Sequence, residues 1–145
     1  RQRSGADAPA GEQRVRAAYP EARVARLGWQ IGTDFTGNHM GAHLERVARE
    51  QGRIEASTRW FPACSFLEDT ARALLQILWE LPAGLYQVDG NPGLDFYAIA
   101  SGLSRLHGHR WPVVPVAGLV QNHRMLDDRV ATGSIVARLP AAPAQ

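Results

Sequence analysis

Gly84-Leu-Tyr-Gln-Val-Asp-Gly-Asn-Pro-Gly-Leu-Asp-Phe-Tyr-Ala-Ile-Ala100 is the stretch whose reading decides the fold. Leu85 to Val88 reads as a short strand, and Asp89-Gly90-Asn91-Pro92-Gly93 is dense turn chemistry. Asp95 then stands where a helix N-cap belongs. Behind it Phe96, Ile99, Leu103 and Leu106 recur at helical spacing, and Gly108 closes the run. Strand, tight turn and capped helix in that order form the building unit of an α/β protein.

Working upstream, Pro82-Ala-Gly84 ends another helix. Ser65-Phe-Leu-Glu68 has the spacing of a capping box, and Leu67, Ala71, Leu74, Leu75 and Leu78 form an apolar stripe behind it. Residues 53–64 read as extended, with Arg59-Trp60-Phe61-Pro62 at their centre. Met40, Leu44 and Val47 predict a helix over about 38–51, stopped by Gly52. Ala22 to Leu27 reads as a buried strand that turns out through Gly28-Trp29-Gln30-Ile31-Gly32. Glu12 to Ala18 reads as a short helix that Tyr19-Pro20 terminates. Downstream, Trp111 to Val116 is extended, and its two prolines make it an edge strand or an irregular connector. Residues 117–139 are weakly patterned, with a short helix expected near 132–138. The organisation read from this is a frayed segment 1–10, a folded portion 11–139 and a loose tail 140–145. The strands are few and no G-x-G-x-x-G follows any of them, so the backbone cradle for a pyrophosphate is missing.

Bulk composition excludes several classes of function. A chain of 145 residues with 45% apolar and 21% charged content can bury one ordinary core. No run approaches the ~20 apolar residues of a membrane span. All sixteen basic residues are arginine, so no lysine Schiff base, lysine general base or Walker-type lysine comes from this chain. A net charge of +2, with no basic run interleaved with aromatics, does not argue for nucleic acid. The single cysteine, Cys64, excludes an internal disulfide and a multi-cysteine zinc site, and the default setting is cytoplasmic. The sequence opens on Arg1 with no apolar leader behind it, and the expectation is a processed or truncated chain.

The order of these blocks resembles the C-terminal part of the dTDP-4-dehydrorhamnose reductases and their relatives in the NAD-dependent epimerase-dehydratase family of extended short-chain dehydrogenases. Arg26-Leu-Gly-Trp-Gln-Ile-Gly32 is similar to the family's "R-t-s-W-v-y-G" strand end. Asn38 and the helix after it match an "N-F" segment. Pro62 to Ala71 is similar to "P-T-…-D-l-A". Gly84-Leu-Tyr-Gln-Val matches "G-i-Y-h-l", and Phe96-Tyr97-x-x-Ala100 matches "S-w-y-e-f-A". The likeness covers about residues 10–128 and implies a partial Rossmann-like reductase fold, its C-terminal substrate-binding portion, with few strands and about four helices. In the intact family NAD(P)H is held by an N-terminal glycine-rich half, and the reaction is hydride transfer to the 4-keto group of a nucleotide-sugar. A Tyr-x-x-x-Lys pair supplies the proton, the lysine lowering the tyrosine pKa. Here the tyrosine position falls at about Ser4 and the lysine at about Ala8, and neither side chain does that work. The expected chain therefore carries no catalytic residue and binds no cofactor alone. It needs the missing half or a partner chain.

Five residues are candidates for substrate contact. Trp29, at a strand's C-terminal end, either faces ligand or caps the sheet as core. Arg59 offers a fork for a diphosphate and Trp60 a face for a base or sugar; the alternative is a surface arginine beside a packing aromatic. Asn38 either binds ligand or caps its helix. Arg124, within Arg124-Met-Leu-Asp-Asp-Arg129, either contacts phosphate or belongs to a salt-bridged loop. His39 and His43 have helical metal spacing, but Met40-Gly41 stands where a zincin needs its glutamate, and two histidines on a polar helix face are expected. Cys64 precedes a helix start, which lowers a thiol pKa, but a buried small residue is the expectation. Asp69 reads as structural. The rival function is a regulatory module of the same descent that binds only a protein partner.

Overall fold

The computed structural model describes residues 7–144, with side chains from residue 10 onward. Its elements run α1 (Asp7–Ala18), β1 (Arg23–Leu27), β2 (Trp29–Ile31), α2 (Met40–Gln51), β3 (Ile54–Ser57), β4 (Trp60–Phe61), β5 (Cys64–Phe66), α3 (Leu67–Glu80), β6 (Gly84–Val88), α4 (Phe96–Leu106), β7 (Val113–Val116) and β8 (Gln121–Asn122), followed by one 3-10 turn at Ile135–Ala137. The pairings are β1 with β6, β2 with β5, β3 with β7 and β4 with β8, and all four are parallel. Parallel strands with helices between them confirm the α/β class. Ser4 lies outside the described residues, as does the side chain of Ala8.

One run of chain makes β1 and β2, and Gly28 is where it changes partner. A Cβ on Gly28 would lie 2.5 Å from the Ala63 carbonyl carbon and oxygen, so only glycine lets the two backbones close in. Just past it, Trp29 N–H donates to Ala63 O at 2.8 Å. On the other side, Gly90 N–H donates to Cys64 O at 2.8 Å, so β5 fills the gap that opens where β1 and β6 diverge.

The main core gathers Ile31, Met40, Leu44, Ile54, Phe66, Phe96, Ile99, Leu103, Trp111 and Ile135 between α2, α4 and the strands. A second, smaller core lies where α3 covers the β1–β6 ribbon: Ala73, Ile77, Tyr86, Val88 and Val130, with Ala25 and Leu81 beside them. The turn after β6 is held by its own polar side chains. Asp89 Oδ1 accepts from Cys64 N–H at 3.1 Å and Asn91 N–H at 2.8 Å, while Oδ2 accepts from Met125 N–H at 2.7 Å. Asn91, fully buried, accepts from Gly93 and Leu94 N–H and donates to Pro62 O and Leu94 O. Asp95 caps α4 as expected, accepting from Ala98 N–H at 2.8 Å.

Four expectations need correction. The helix α1 begins at Asp7, five residues before Glu12, so the last part of the segment expected to fray is helical. The α3 start is not a capping box. Its cap position is Phe66, without a side-chain bond, because Ser65 is drawn into β5 and its hydroxyl bonds Thr70 Oγ1 at 2.6 Å. Asn38 does not cap α2. That position belongs to His39, and Asn38 is an exposed residue of the loop before it. Finally, the apolar stripe of α3 is not core: the helix buries Asp69, Thr70, Ala73 and Ile77, and leaves Leu67, Leu74, Leu75, Leu78 and Trp79 exposed.

Candidate functional site

The two tryptophans singled out in the sequence meet. Gly28 delivers Trp29 to the start of β2, and β4 presents Trp60, with ring centroids 6.3 Å apart. Phe96, the first residue of α4, stacks on Trp29 at 6.2 Å and 21° and meets Trp60 at 4.8 Å and 52°. His43 of α2 meets Trp29 edge-on at 5.2 Å. Trp60 donates its indole N–H to His123 Nδ1 at 3.1 Å. The result is a graded aromatic wall: Phe96 is buried at its foot, Trp29 and Trp60 are half-buried, and His123 is exposed at the rim. Such a wall offers flat apolar area with polar tips. Burial, aided by the Arg46 charge, pushes the His43 imidazole below its ordinary pKa, so at neutral pH it packs uncharged against the indole.

Trp29 packs against the main core, as the core reading expects, and is half-buried rather than sealed within it. Arg59 donates its backbone N–H to Ser57 Oγ, and its carbonyl accepts from Gln121 N–H. Its exposed guanidinium makes no hydrogen bond or ion pair among the described residues. Arg124 is more engaged. Its Nη1 donates to Pro92 O at 2.8 Å and its Nε to Asn122 Oδ1 at 3.1 Å, and the guanidinium lies 5.6 Å from the Phe61 ring. Phe61 and Trp60 alternate along β4, so Arg124 sits on the opposite side of that strand from the Trp60 ring. Asn38 makes no side-chain hydrogen bond among the described residues.

The histidine pair does not share a polar helix face. His39 precedes α2, and its ring turns back to brace the loop: Nδ1 accepts from Gly32 N–H at 3.2 Å and Nε2 lies 2.9 Å from Asp34 Oδ1. His43 is packed on Trp29. The cause is glycine: a Cβ on Gly32 would lie 2.8 Å from the His39 ring, so its absence makes room for the imidazole. Cys64 is fully buried, and burial, with the Asp89 carboxylate beside it, pushes its thiol up to about 12, the opposite of activation. Asp69 is structural, held by Arg138 Nε at 2.7 Å and Nη2 at 2.9 Å. Phe96, His43 and His123 belong to the wall although none was singled out for substrate contact, His43 having been weighed only as a metal ligand. Phe96 carried a signal, since it directly follows the Asp95 cap; His123 carried none, lying 63 residues from the Trp60 it bonds.

The described residues do not fit a dinucleotide pyrophosphate. That group needs a glycine-rich approach to a helix N-terminus whose N–H groups are free. The turn from β6 into α4 has the right order of elements, but Asn91 fills it and the Asp95 carboxylate occupies the helix end. Glu68 and Asp69 stand in the first turn of α3 and repel an anion there. Three open cavities lie elsewhere, of about 270 Å³ beside Arg105 and His109, about 450 Å³ beside Glu45 and Arg110, and about 280 Å³ beside Leu94 and Leu139, and none is lined by Trp29, Trp60 or Phe96. No helix among the described residues is long and apolar enough to cross a membrane.

Comparison with known proteins agrees with the sequence resemblance. No family model matches the chain. A stretch of 68 residues, 47% of this chain, is 38% identical to the dTDP-4-dehydrorhamnose reductase of Mycobacterium tuberculosis strains CDC 1551 and H37Rv, and covers 22% of that protein. The fold is similar to a dTDP-4-dehydrorhamnose reductase from Bacillus anthracis solved in complex with NADP, with a TM-score of 0.69 at 20% identity over 86% of this chain and 46% of that one. It is also similar to the Clostridium acetobutylicum dTDP-4-dehydrorhamnose reductase, TM-score 0.69 at 19% identity over 84% and 45%. A UDP-glucose 4-epimerase from Thermotoga maritima, solved with UDP-glucose, matches at TM-score 0.58 and 14% identity over 85% and 43%. The chain thus has the Rossmann-like α/β fold of the reductases, and it spans less than half the length of the solved structures it matches.

Proposed function

We propose that this chain is the sugar-nucleotide-binding portion of a dTDP-4-dehydrorhamnose reductase-like NAD(P)-dependent oxidoreductase, and that it is not catalytic by itself. The observation that carries this reading is the Trp29–Trp60–Phe96 wall, built by three segments far apart in sequence. The segments carrying Trp29 and Phe96 match reductase motifs in order, and Trp60 stands just before the Pro62 to Ala71 match. An indole face takes the apolar face of a sugar ring or a base, and the two tryptophans offer two such faces side by side. Arg59, adjoining Trp60, supplies an unengaged fork for a diphosphate. Arg124, tethered to Pro92 O and Asn122 on the far side of β4 from the Trp60 ring, is a second phosphate candidate that stands apart from the wall. Asn38 offers its amide to sugar hydroxyls. In this reading residues 11–139 form the binding portion, and the setting is cytoplasmic. Hydride, from NAD(P)H, belongs to a dinucleotide-binding half that this portion accompanies. The rival reading, a module that binds only a protein partner, draws no support from the 38% identity to a reductase.

Titration of the folded chain with dTDP-glucose and with UDP-glucose tests the proposal. The expected result is a saturable change in tryptophan emission that Trp60→Ala abolishes. Arg59→Ala should weaken it for the nucleotide-sugar and leave any response to free sugar unchanged. No response at millimolar ligand would end the reading.

A further inference from the structure

Among the described residues the aromatic wall makes one side-chain hydrogen bond, and that bond fixes the place of a proton. Trp29, His43 and Phe96 meet their neighbours by ring packing, while Trp60 donates its indole N–H to His123 Nδ1 at 3.1 Å. An indole nitrogen only donates, and a neutral imidazole carries one donor and one acceptor. Nδ1 of His123 is therefore the bare nitrogen, and the ring proton sits on Nε2. Nε2 lies across the ring from the indole, makes no hydrogen bond among the described residues, and belongs to an exposed side chain. The two rings stand at 82° with centroids 6.3 Å apart, so the imidazole crosses the edge of the indole rather than extending its plane.

The backbone holds that donor in place. His123 N–H donates to Phe61 O at 2.8 Å, one residue past the last register pair of β4 and β8, Phe61↔Asn122. Gln121 N–H donates to Arg59 O at 3.2 Å before it, and Met125 N–H donates to Asp89 Oδ2 at 2.7 Å after it. Asn122 and Arg124 bond each other, with Arg124 against Phe61, while His123 between them turns to Trp60. Water can serve an indole N–H at a half-exposed edge. A histidine in that role adds something water does not: a second N–H beyond the indole, neutral, with its tautomer set and its backbone anchored. Binding sites orient a stacked ligand through a few such polar groups beside apolar faces.

We infer that His123 is a ligand-contact residue of the wall, held by Trp60 as the Nε2–H tautomer so that Nε2–H donates to an acceptor oxygen, a sugar hydroxyl or a phosphate oxygen, of the ligand lying on Trp60. This contact rests on the reading under Proposed function and adds to it a neutral donor on the stacking side of β4. Arg124 stands on the other side of that strand, and a stacking face alone holds a ring without fixing which way round it lies. Trp60 then has two tasks. Its face takes the ring of the ligand, and its N–H sets which nitrogen of His123 presents a proton.

Nitrogen NMR of the labelled chain in mildly alkaline buffer tests the tautomer without any ligand. The expected result is a bare Nδ1 and a protonated Nε2 on His123, a preference that relaxes in Trp60→Phe. A proton on Nδ1 overturns the inference, because the indole N–H then has no acceptor. Titrations with dTDP-glucose and with dTDP test the contact. His123→Asn places an amide oxygen where Nδ1 was but ends short of Nε2, so the Trp60 indole resonance should hold its position while affinity falls about 3- to 10-fold. His123→Gln, whose amide N–H reaches the place of Nε2, should restore most of that loss. A loss for dTDP-glucose alone assigns the oxygen to the sugar, and an equal loss for dTDP assigns it to the diphosphate. Full affinity in His123→Asn overturns the contact and leaves the wall standing, whereas a parent chain that answers neither ligand sinks the wall and the contact together.

Discussion

Replacing Asp89 by alanine should come close to unfolding this chain, and the cost can be worked from three bonds. The carboxylate joins three segments: β5 through Cys64 N–H, the turn into α4 through Asn91 N–H, and the 122–129 segment through Met125 N–H. The first two bonds are buried, so alanine leaves two donors without water or partner. Each orphan costs about 1–3 kcal/mol, and losing the third, less buried bond adds about 1, for a total of about 3–7 kcal/mol. A domain of this size holds about 5–15 kcal/mol in all. Urea unfolding followed by tryptophan emission should show a midpoint lower by about 1.5–3.5 M at an m-value of about 2 kcal/mol/M. Asp89→Asn separates the contributions. Its amide oxygen keeps the two buried donors, which share Oδ1, and turns an NH₂ toward Met125 N–H, so only about 1–3 kcal/mol should be lost. This variant folds even if the alanine variant does not. If Asp89→Ala falls within about 1 kcal/mol of the parent, or Asp89→Asn costs as much as Asp89→Ala, the hub does not hold the turn and the reasoning fails.

Two further outcomes follow from named groups. Bonds from Arg110 and then Trp111 hold the Glu45 carboxyl down at about 2, and Arg129 holds Asp127 at about 2. Both are depressed in the fold, so their stabilisation is present above the unfolded carboxylate range near pH 4 and is lost as pH falls toward 2. Unfolding free energy should drop across that window, with a shallower slope in Glu45→Gln; an unchanged slope refutes the assignment. At Gly28, an added methyl meets the Ala63 carbonyl at 2.5 Å, so Gly28→Ala should cost about 1–3 kcal/mol and shift the Trp29 emission, where an exposed glycine such as Gly11 should tolerate alanine with neither effect.

What the sequence made legible was local. The strand, turn and cap from Gly84 to Ala100 announce themselves because Asp95 and Asn91 carry side-chain oxygens that bond nearby backbone N–H groups, Gly90 and Gly93 are turn residues, and the cap bond to Ala98 N–H is made within three residues. Trp29 and Trp60 were legible as candidates by residue type, but their meeting was not, since it depends on β5 entering between β2 and the continuation of β6. The same long-range step hid His123, which reaches Trp60 only because β8 pairs with β4 across some sixty residues. Ser65 shows a motif overridden: its spacing to Glu68 suits a capping box, but a buried hydroxyl beside Thr70 makes the shorter bond.

The helix α3 is the most informative mismatch, because its pattern was right and its orientation was not. Periodicity reports that one helix flank wants to leave water; it does not say what will cover it. Here the flank that enters the core is the one carrying Ala73 and Ile77, small enough to let the helix sit close on Ala25 and Tyr86. The polar residues Asp69, Thr70 and Gln76 are each matched to a fixed partner: Arg138, Ser65 with Gln30, and the backbone of Arg129 and Ala131. Those bonds allow one rotation of the helix about its axis, and that rotation sends the leucines outward. Turning the leucines in would break every one of them and strand a buried carboxylate, which costs more than burying three leucines on so narrow a ribbon returns.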